Sequence, residues 1–270
     1  MASSPKVGPN SLELPREVTA SILSRYVAIE ILTSLQMVCK SRMAICEENP
    51  FMWRTIDDMR NVTVYEMNNL ELLRMCRVAV DRSRGELVDI KLEYFVDDEL
   101  LKYITDSQVS CCVLNSCETL AVTLDIGLSE AIAKLPLLEE LDLTLCSFSE
   151  STLEALGSSC PRLISLKLNR IARVFKNIDP YKEMKLNEIA IAIGKNLSGL
   201  CHLQLMGDSM INMGLEAILD GCPNLETLDL HRCLNIDLSE NLGERCAQQI
   251  KHLRPPHDPV EDDEFVVGYE

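Results

Sequence analysis

The residue types best suited to chemistry are two cysteines and a histidine in the stretch CPNLETLDLHRC, residues 222–233. Cys246 follows a short distance along the chain. Thiolate sulfurs and imidazole nitrogens are ligands that zinc prefers, and four of them complete its tetrahedral site. This stretch therefore suggests a zinc site. Whether the cysteines serve a metal or the fold depends on the elements that position them.

A leucine pattern recurs along the chain. Leucines occupy the first, fourth and sixth positions of four segments, which begin at Leu138, Leu163, Leu200 and Leu225. The separations are 25, 37 and 25 residues, so the middle one is a single period with 12 added residues. An apolar pattern of helical period follows each of the first three segments. A leucine-rich strand, a turn and a helix at one fixed period are typical of a leucine-rich repeat.

Two parts of this region depart from the period. An earlier repeat begins at Leu87, but residues 107–128 keep only a helical end and have no clear strand pattern. We expect a degraded or shortened repeat there. The 12 added residues predict an insertion near 171–185, and insertions in such repeats often lie at the binding face.

The cysteines follow the same register. Cys222 lies 62 residues after Cys160, and Cys233 lies 87 residues after Cys146. The same distances separate leucines at equivalent positions of the repeat. A metal ligand has no need to recur in this way, so we interpret these cysteines as packing residues of the turns and expect no metal and no cofactor. His231 does not recur with them, and its parity in the strand predicts a side chain that faces solvent.

The composition limits the classes of partner. The formal net charge of -16 is unfavourable for binding nucleic acid or an anionic membrane, because both need clustered Lys and Arg. The absence of a long uncharged apolar run predicts no membrane span, and the start of the chain has no secretory pattern. We therefore expect reduced thiols and a location in the cytoplasm and/or the nucleus. Residues 1–11 and the acidic stretch 254–270 are predicted to be disordered.

Four short motifs in order characterise residues 12–58. They are LPREV from Leu14, IL from Ile22, VCKS from Val38 and PFMW ending at Trp53. These motifs resemble an F-box. With the repeats, residues 12 to about 257 resemble the plant F-box/leucine-rich-repeat proteins, whose repeats are of the cysteine-containing subclass. The resemblance implies an α/β fold: a leucine-rich-repeat solenoid over 87–253, with parallel strands inside and helices outside. A helical linker, 59–86, would join it to a small all-α F-box module.

The resemblance also implies a function. Such proteins are non-catalytic substrate receptors of cullin-type (SCF) ubiquitin ligases, which dock on a Skp-family adaptor through the F-box. Carried over to this sequence, the adaptor contact comprises Leu14, Pro15, Val18, Ile22, Leu23, Ile31, Leu32 and Val38. Trp53 is expected to support the core of the module. One departure is Arg42, because the family usually has a tryptophan after VCKS.

The repeats are expected to hold an unknown target protein. Leucines of each strand point into the core, so the alternating residues face the concave surface of the sheet. The predicted target-binding residues are Glu140, Asp142, Ser165, Lys167, Asn169, His202, Gln204, Met206, Thr227, Asp229 and His231.

Two other readings remain open. The chain could be a leucine-rich-repeat interaction scaffold outside any ligase, with residues 12–58 serving only to cap the solenoid. A thiol enzyme or a zinc protein is the third reading, although no GxSxG, P-loop, GxGxxG or HExxH motif is present.

Overall fold

The strands pair in parallel, in chain order, into one eight-stranded sheet. The computed structural model describes residues 14–56, 69–93, 97–117, 125–146, 148–170, 180–239 and 241–258. The remaining residues include the predicted disordered start, 1–11, and most of the acidic stretch, 259–270, so those two predictions lie outside the described residues. The strands are β1 (Thr55–Ile56), β2 (Asp89–Glu93), β3 (Val113–Cys117), β4 (Glu140–Thr144), β5 (Ser165–Lys167), β6 (His202–Gln204), β7 (Thr227–Asp229) and β8 (His252–Arg254).

Helices connect the strands, as parallel pairing requires. They are α1 (Arg16–Leu23), α2 (Ala28–Glu30), α3 (Lys40–Glu48), α4 (Asn69–Ser83), α5 (Asp98–Asp106), α6 (Asp125–Ile132), α7 (Glu150–Ser159), α8 (Pro180–Asn196), α9 (Asn212–Gly221) and α10 (Asn241–Gln249). A π-helical turn (Ile31–Leu35) and a 3-10 turn (Gln36–Val38) follow α2, and a second 3-10 turn (Pro50–Trp53) precedes β1. Within the described residues, no helix is both long and apolar enough to cross a membrane.

One apolar ladder runs through the whole sheet. The strand register places one aliphatic residue of each strand directly beside the next: Ile56, Ile90, Leu114, Leu141, Leu166, Leu203, Leu228 and Leu253. All but the last are buried. Each buried side chain of this size contributes about 1.5–3 kcal/mol. The predicted α/β leucine-rich-repeat solenoid is confirmed, with a parallel sheet and helices that return between its strands.

The sheet is continuous through the region expected to be degraded. Strand β3 pairs over five residues with both neighbours. Here Cys111 occupies the first position of the template and is buried, while Leu114 occupies the fourth. The leucine pattern does not reveal this strand, because its first position holds cysteine and the nearby Leu120 is out of register with the other repeats. Residues 118–124 lie outside the described residues.

The structure also differs from the expected segment boundaries. The segment 12–58, expected to be all-α, includes β1, which belongs to the sheet because Ile56 is buried against β2. Helix α4 lies in the segment expected to be a helical linker, 59–86, and occupies the position of a repeat helix between β1 and β2. Strand β8 extends to Arg254, the first residue of the stretch expected to be a tail.

Helix α4 joins the N-terminal module to the repeats. The guanidinium of Arg82 lies 5.1 Å from the centroid of the Trp53 ring and donates to Gln36 Oε1 at 2.7 Å. It also pairs with Glu47 at 3.2 Å. The buried Trp53 indole donates its N–H to the Cys46 carbonyl at 2.8 Å, which confirms its expected place in the module core. The module and the repeats therefore share one hydrophobic core.

Glycines allow α8 and α9 to approach each other closely. A Cβ on Gly221 would overlap the backbone of Gly194, and a Cβ on Gly194 would overlap the carbonyl of Ala217. The two backbones are thus in direct contact, so neither position has room for a side chain.

Replacing Gly221 with alanine should destabilise the fold. Because the obstacle is backbone, the helices must separate, and overpacking of this kind costs about 1–3 kcal/mol. The matched control is Gly199→Ala, where the added Cβ would meet only the Leu163 carbonyl at 3.8 Å. Urea unfolding followed by circular dichroism measures both variants. Equal midpoints for the two would contradict the close helix contact.

Candidate functional site

Cys222 and its equivalent Cys160 each follow the last residue of a helix, with the same backbone geometry. Cys160 follows α7 with φ -116° and ψ 70°, and Cys222 follows α9 with φ -115° and ψ 72°. Each thiol donates to a carbonyl 25 residues earlier, Cys160 to Leu135 at 3.4 Å and Cys222 to Leu197 at 3.5 Å. The equivalence predicted from the register is confirmed. Each thiol links its own helix end to the preceding repeat.

The other pair lies in equivalent turns after β4 and β7. Leu145 and Arg232, which directly precede Cys146 and Cys233, both have positive φ, 60° and 61°. The Cys233 thiol donates to the Leu205 carbonyl of the preceding repeat at 2.9 Å. The Cys146 thiol donates to the Thr144 carbonyl of its own strand at 3.6 Å. Both cysteines are buried, so packing explains their position in the repeat.

Burial makes these thiols poor ligands and poor nucleophiles. It raises the pKa of the Cys160 and Cys222 thiols to about 11, and it also raises the pKa of Cys233. Metal binding and nucleophilic attack both require the thiolate. Across the residues that the structure describes, no three or more His, Cys, Asp or Glu residues form a group that could hold a metal ion.

The prediction that His231 faces solvent is wrong. Only 6% of this residue is exposed, and Asn169 and Met206 are also buried. All three lie beyond the last residue of their strands, where successive turns stack on one another. The stacking is visible in the backbone: Arg170 N donates to Met206 O at 2.7 Å, and Gly207 N donates to His231 O at 2.9 Å. Strand parity therefore no longer applies at these positions.

The other predicted concave residues reach the surface to different degrees. Glu140, Lys167 and His202 are exposed. Partly exposed are Asp142, Ser165, Gln204, Thr227 and Asp229. The centre of the concave sheet thus presents charges, amides and hydroxyls that can form hydrogen bonds with a protein.

Ion pairs join neighbouring strands on this face. Lys167 Nζ lies 4.0 Å from Asp142 Oδ2, and Arg254 Nη1 lies 3.4 Å from Asp229 Oδ2. Burial raises the pKa of Asp142, although the hydrogen bond from Thr144 and the charge of Lys167 partly oppose this. Sequence reasoning missed these pairs and missed Arg254. The available signal was opposite charges separated by one period of 25 residues.

The predicted adaptor residues fall into two groups. Leu14, Pro15, Val18, Ile22 and Val38 are exposed, with Val38 at 64%. In contrast, Leu23, Ile31 and Leu32 are buried in the core. Leu23 nevertheless lines the open groove between α1 and α3 together with the exposed residues, whereas Ile31 and Leu32 do not line it. The motifs could not separate the two groups, because both are apolar.

An open groove of about 360 Å³ lies between α1 and α3, which we call the module groove. Leu14, Ile22, Leu35, Val38 and Tyr26 provide apolar lining, and the half-buried Arg42 lies among them. The motifs had not indicated Tyr26. Arg16 also lines the groove and pairs with Glu48 at 2.6 Å. An exposed apolar surface with these two cations is suited to a protein partner with apolar side chains and a carboxylate.

Curated relatives of this chain come from Arabidopsis thaliana. Putative F-box/LRR-repeat protein 21 is 42% identical over 262 residues, which cover 94% of this chain and 84% of that protein. F-box protein SKIP19 is 43% identical, covering 94% and 79%. Putative F-box/LRR-repeat protein 23 is 43% identical over 92% of this chain, which spans only about half (54%) of that relative.

No protein-family model matches the chain. Solved structures resemble it only loosely. The tropomodulin C-terminal domain of Caenorhabditis elegans has 15% identity and a TM-score of 0.37, covering 56% of this chain and 92% of that one. The TLR13-ssRNA13 complex has 16% identity and a TM-score of 0.44, covering 76% and 30%. Similarities at this level support no argument about function.

Thiol labelling should separate the cysteines by burial. In the native chain at pH 8, iodoacetamide should label the exposed Cys39 rapidly and leave Cys160 and Cys222 unlabelled, since burial keeps both protonated. Peptide mapping by mass spectrometry identifies the labelled sites. In denaturant all twelve cysteines should react, which is the control. Native labelling of Cys160 at the rate of Cys39, or one equivalent of zinc by elemental analysis, would contradict the packing role.

Proposed function

The chain belongs to the F-box/leucine-rich-repeat proteins, and from this premise we propose that it is the substrate-recognition subunit of an SCF-type ubiquitin ligase. In this proposal the N-terminal module docks on a Skp-family adaptor and, through it, on a cullin scaffold. The repeats hold a target protein. The observation that carries the proposal is the exposed module groove beside a sheet whose concave face is free of apolar ladder residues.

The module groove supports adaptor docking on energetic grounds. Its large apolar side chains are exposed, although burying one of them fully is worth about 1.5–3 kcal/mol. A partner that covers Leu14, Ile22 and Val38 together would gain several such contributions. Arg42 adds a requirement for a carboxylate, because an unpaired charge buried under a partner is costly.

The proposed role needs no catalytic group in this chain. Holding a target beside a ubiquitin-conjugating enzyme raises the effective concentration of the target lysine, so the reaction becomes in effect intramolecular. The protonated state of the buried repeat thiols agrees with a role in binding alone. Cytoplasm and nucleus are the proposed locations, since ubiquitin ligases of this class act there.

One observation favours a second candidate, an interaction scaffold outside any ligase. Arg82 joins α4 to the module through Trp53, Gln36 and Glu47, so the module also covers the first end of the solenoid core. A purely structural cap would make the same contacts. Adaptor binding distinguishes the two candidates.

The double substitution Leu14→Ala with Pro15→Ala should weaken adaptor binding. Both residues are exposed, so the fold should persist, while the groove loses the apolar side chain of Leu14 from its lining. We expect an affinity at least about tenfold lower, which corresponds to about 1.4 kcal/mol. Isothermal titration with a purified Skp-family adaptor measures the change.

The control for this experiment is Phe51→Ala. Phe51 is similarly exposed on the same module but does not line the module groove. The affinity of the Phe51→Ala variant for the adaptor should match that of the unaltered chain. If the unaltered chain does not bind the adaptor at all, the ligase role is wrong and the scaffold role remains.

A further inference from the structure

Among the described residues, the sheet ends in an open edge at β8. This strand pairs with β7 on one side, and the eight-stranded sheet has no strand on its other side. The backbone N–H of His252 and the carbonyl of Arg254 both bond on the β7 side. Because backbone groups alternate between the two sides of a strand, those of Leu253 point to the open side. An open edge is a ready site for another segment of chain.

The residue that follows β8 departs from the repeat. One period earlier, Leu230 is buried and its N–H donates to the next strand, at Arg254 O, over 2.9 Å. Pro255 occupies the equivalent position and is exposed. Proline has no N–H to donate, so a further strand of the same kind would lack this bond. A segment of another kind is therefore needed to cover Leu253, which is the only partly exposed residue of the apolar ladder.

An open pocket of about 410 Å³ adjoins this edge, and we call it the end pocket. It lies between the turn after β7 and the turn after β8. Its lining is mostly apolar and comprises Ile236, Asp237, Leu238, Pro255, Pro256 and His257. Leu238 and Leu253 both pack against the hydrophobic core while remaining partly exposed. The end of the solenoid thus presents apolar surface that a further segment could bury.

The chain itself supplies a segment within reach. Its described part ends at Asp258, directly after the residues that line the end pocket. The next residues, 259–270, read PVEDDEFVVGYE and include the apolar run 265–267. Phe265 lies seven residues after Asp258, a separation that chain can span up to about 24 Å. Strand β8 has three residues and is about 10 Å long, so the apolar run can reach the whole open edge.

Apolar contact, and not charge, is the basis of the fit. Four acids, residues 261–264, separate Asp258 from the apolar run. The cations of β8 and its start already have acid partners: Arg254 pairs with Asp229 at 3.4 Å, and Lys251 pairs with Glu226 at 2.7 Å. The four acids therefore need no partner at this surface and can serve as a solvated connection. A short connection also gives the segment a millimolar effective concentration, so a weak contact is enough for docking.

We propose that residues 259–270 fold back over the open end of the solenoid, where Phe265 and Val267 pack on Leu253 and the end pocket. The N-terminal module covers the first end of the repeats, and this segment covers the other. It also blocks the edge through which two copies of the chain could pair. The proposal differs from the disorder expected of this acidic stretch. It does not rest on the receptor role, because no step of it involves an adaptor or a target.

Photo-crosslinking in the full chain tests the contact directly. Phe265 is replaced by benzoylphenylalanine, which keeps an aromatic ring at that position. After irradiation, peptide mapping by mass spectrometry should place the crosslinks within residues 236–257. In an equal mixture of isotope-labelled and unlabelled chains, each crosslink should join peptides of the same isotope, which shows that it forms within one molecule. The control carries the same group at Phe51, exposed on the N-terminal module, and should give no crosslink to 236–257.

Hydrogen exchange followed by mass spectrometry tests the effect on the last repeat. Phe265→Ser with Val267→Ser should make the amides of β8 exchange at least about tenfold faster, because the open edge loses its cover. The amides of α7, several repeats away, should exchange as in the unaltered chain. The matched control in the same segment is Glu261→Gln with Glu264→Gln. It should change exchange in β8 by less than about twofold, since the acids only connect.

Several outcomes would overturn the proposal. The absence of crosslinks to residues 236–257 would show that Phe265 does not reach the end pocket. Crosslinks that join only peptides of different isotope would assign the edge to a second copy of the chain. Unchanged exchange of β8 in the Phe265→Ser with Val267→Ser variant would show that the apolar run covers nothing there. An equal acceleration in the glutamine control would replace the apolar contact by an electrostatic one.

Discussion

A single repeat cannot bury its own apolar residues, so each repeat in this chain depends on the next. Leu141 is buried because Leu114 lies on one side of it and Leu166 on the other, in the strands that pair with β4. Contacts of this kind, repeated along the sheet, make the stability of a solenoid a sum of neighbour interactions. The thiols of Cys160 and Cys222, the stacked turns and the glycine contact of α8 with α9 all lie at boundaries between neighbouring repeats.

This dependence makes the ends of the solenoid special. At the first end, the described part of β1 comprises Thr55–Ile56, and Ile56 is covered by β2 on one side. The helical module supplies the rest of the cover, held by Arg82 through Trp53. A docking module and a cap are therefore compatible roles for the same residues. The buried side, with Leu23 and Ile31, stabilises the fold, and the exposed side, with Ile22 and Val38, is available to a partner.

The sequence predicted the class of fold because the leucine template encodes both the period and the strand parity. It failed where another residue type satisfies the same packing requirement. Cys111 is buried at the first position of its repeat, where other repeats have a buried leucine. A template that requires leucine cannot recognise it. It also failed at His231, because parity describes a strand and this residue lies in the turn after one. For the predicted adaptor surface, the motifs identified the module but not which of its apolar residues are exposed. That depends on how the helices of the module pack against one another.

Helix α8 is seven residues longer than α7 and α9, and the position of its extra residues, 180–186, follows from the same dependence between repeats. Added residues inside the strand or at the end of the helix would displace the ladder or the capping contact of Leu197, which receives the Cys222 thiol. Added residues before Asn187 displace neither, because Asn187 keeps the contact with α9 that Asn212 repeats one period later with Asp237. The extra residues therefore lengthen the helix while both contacts are kept. A solenoid that must keep every internal contact can therefore accept added residues at such a place.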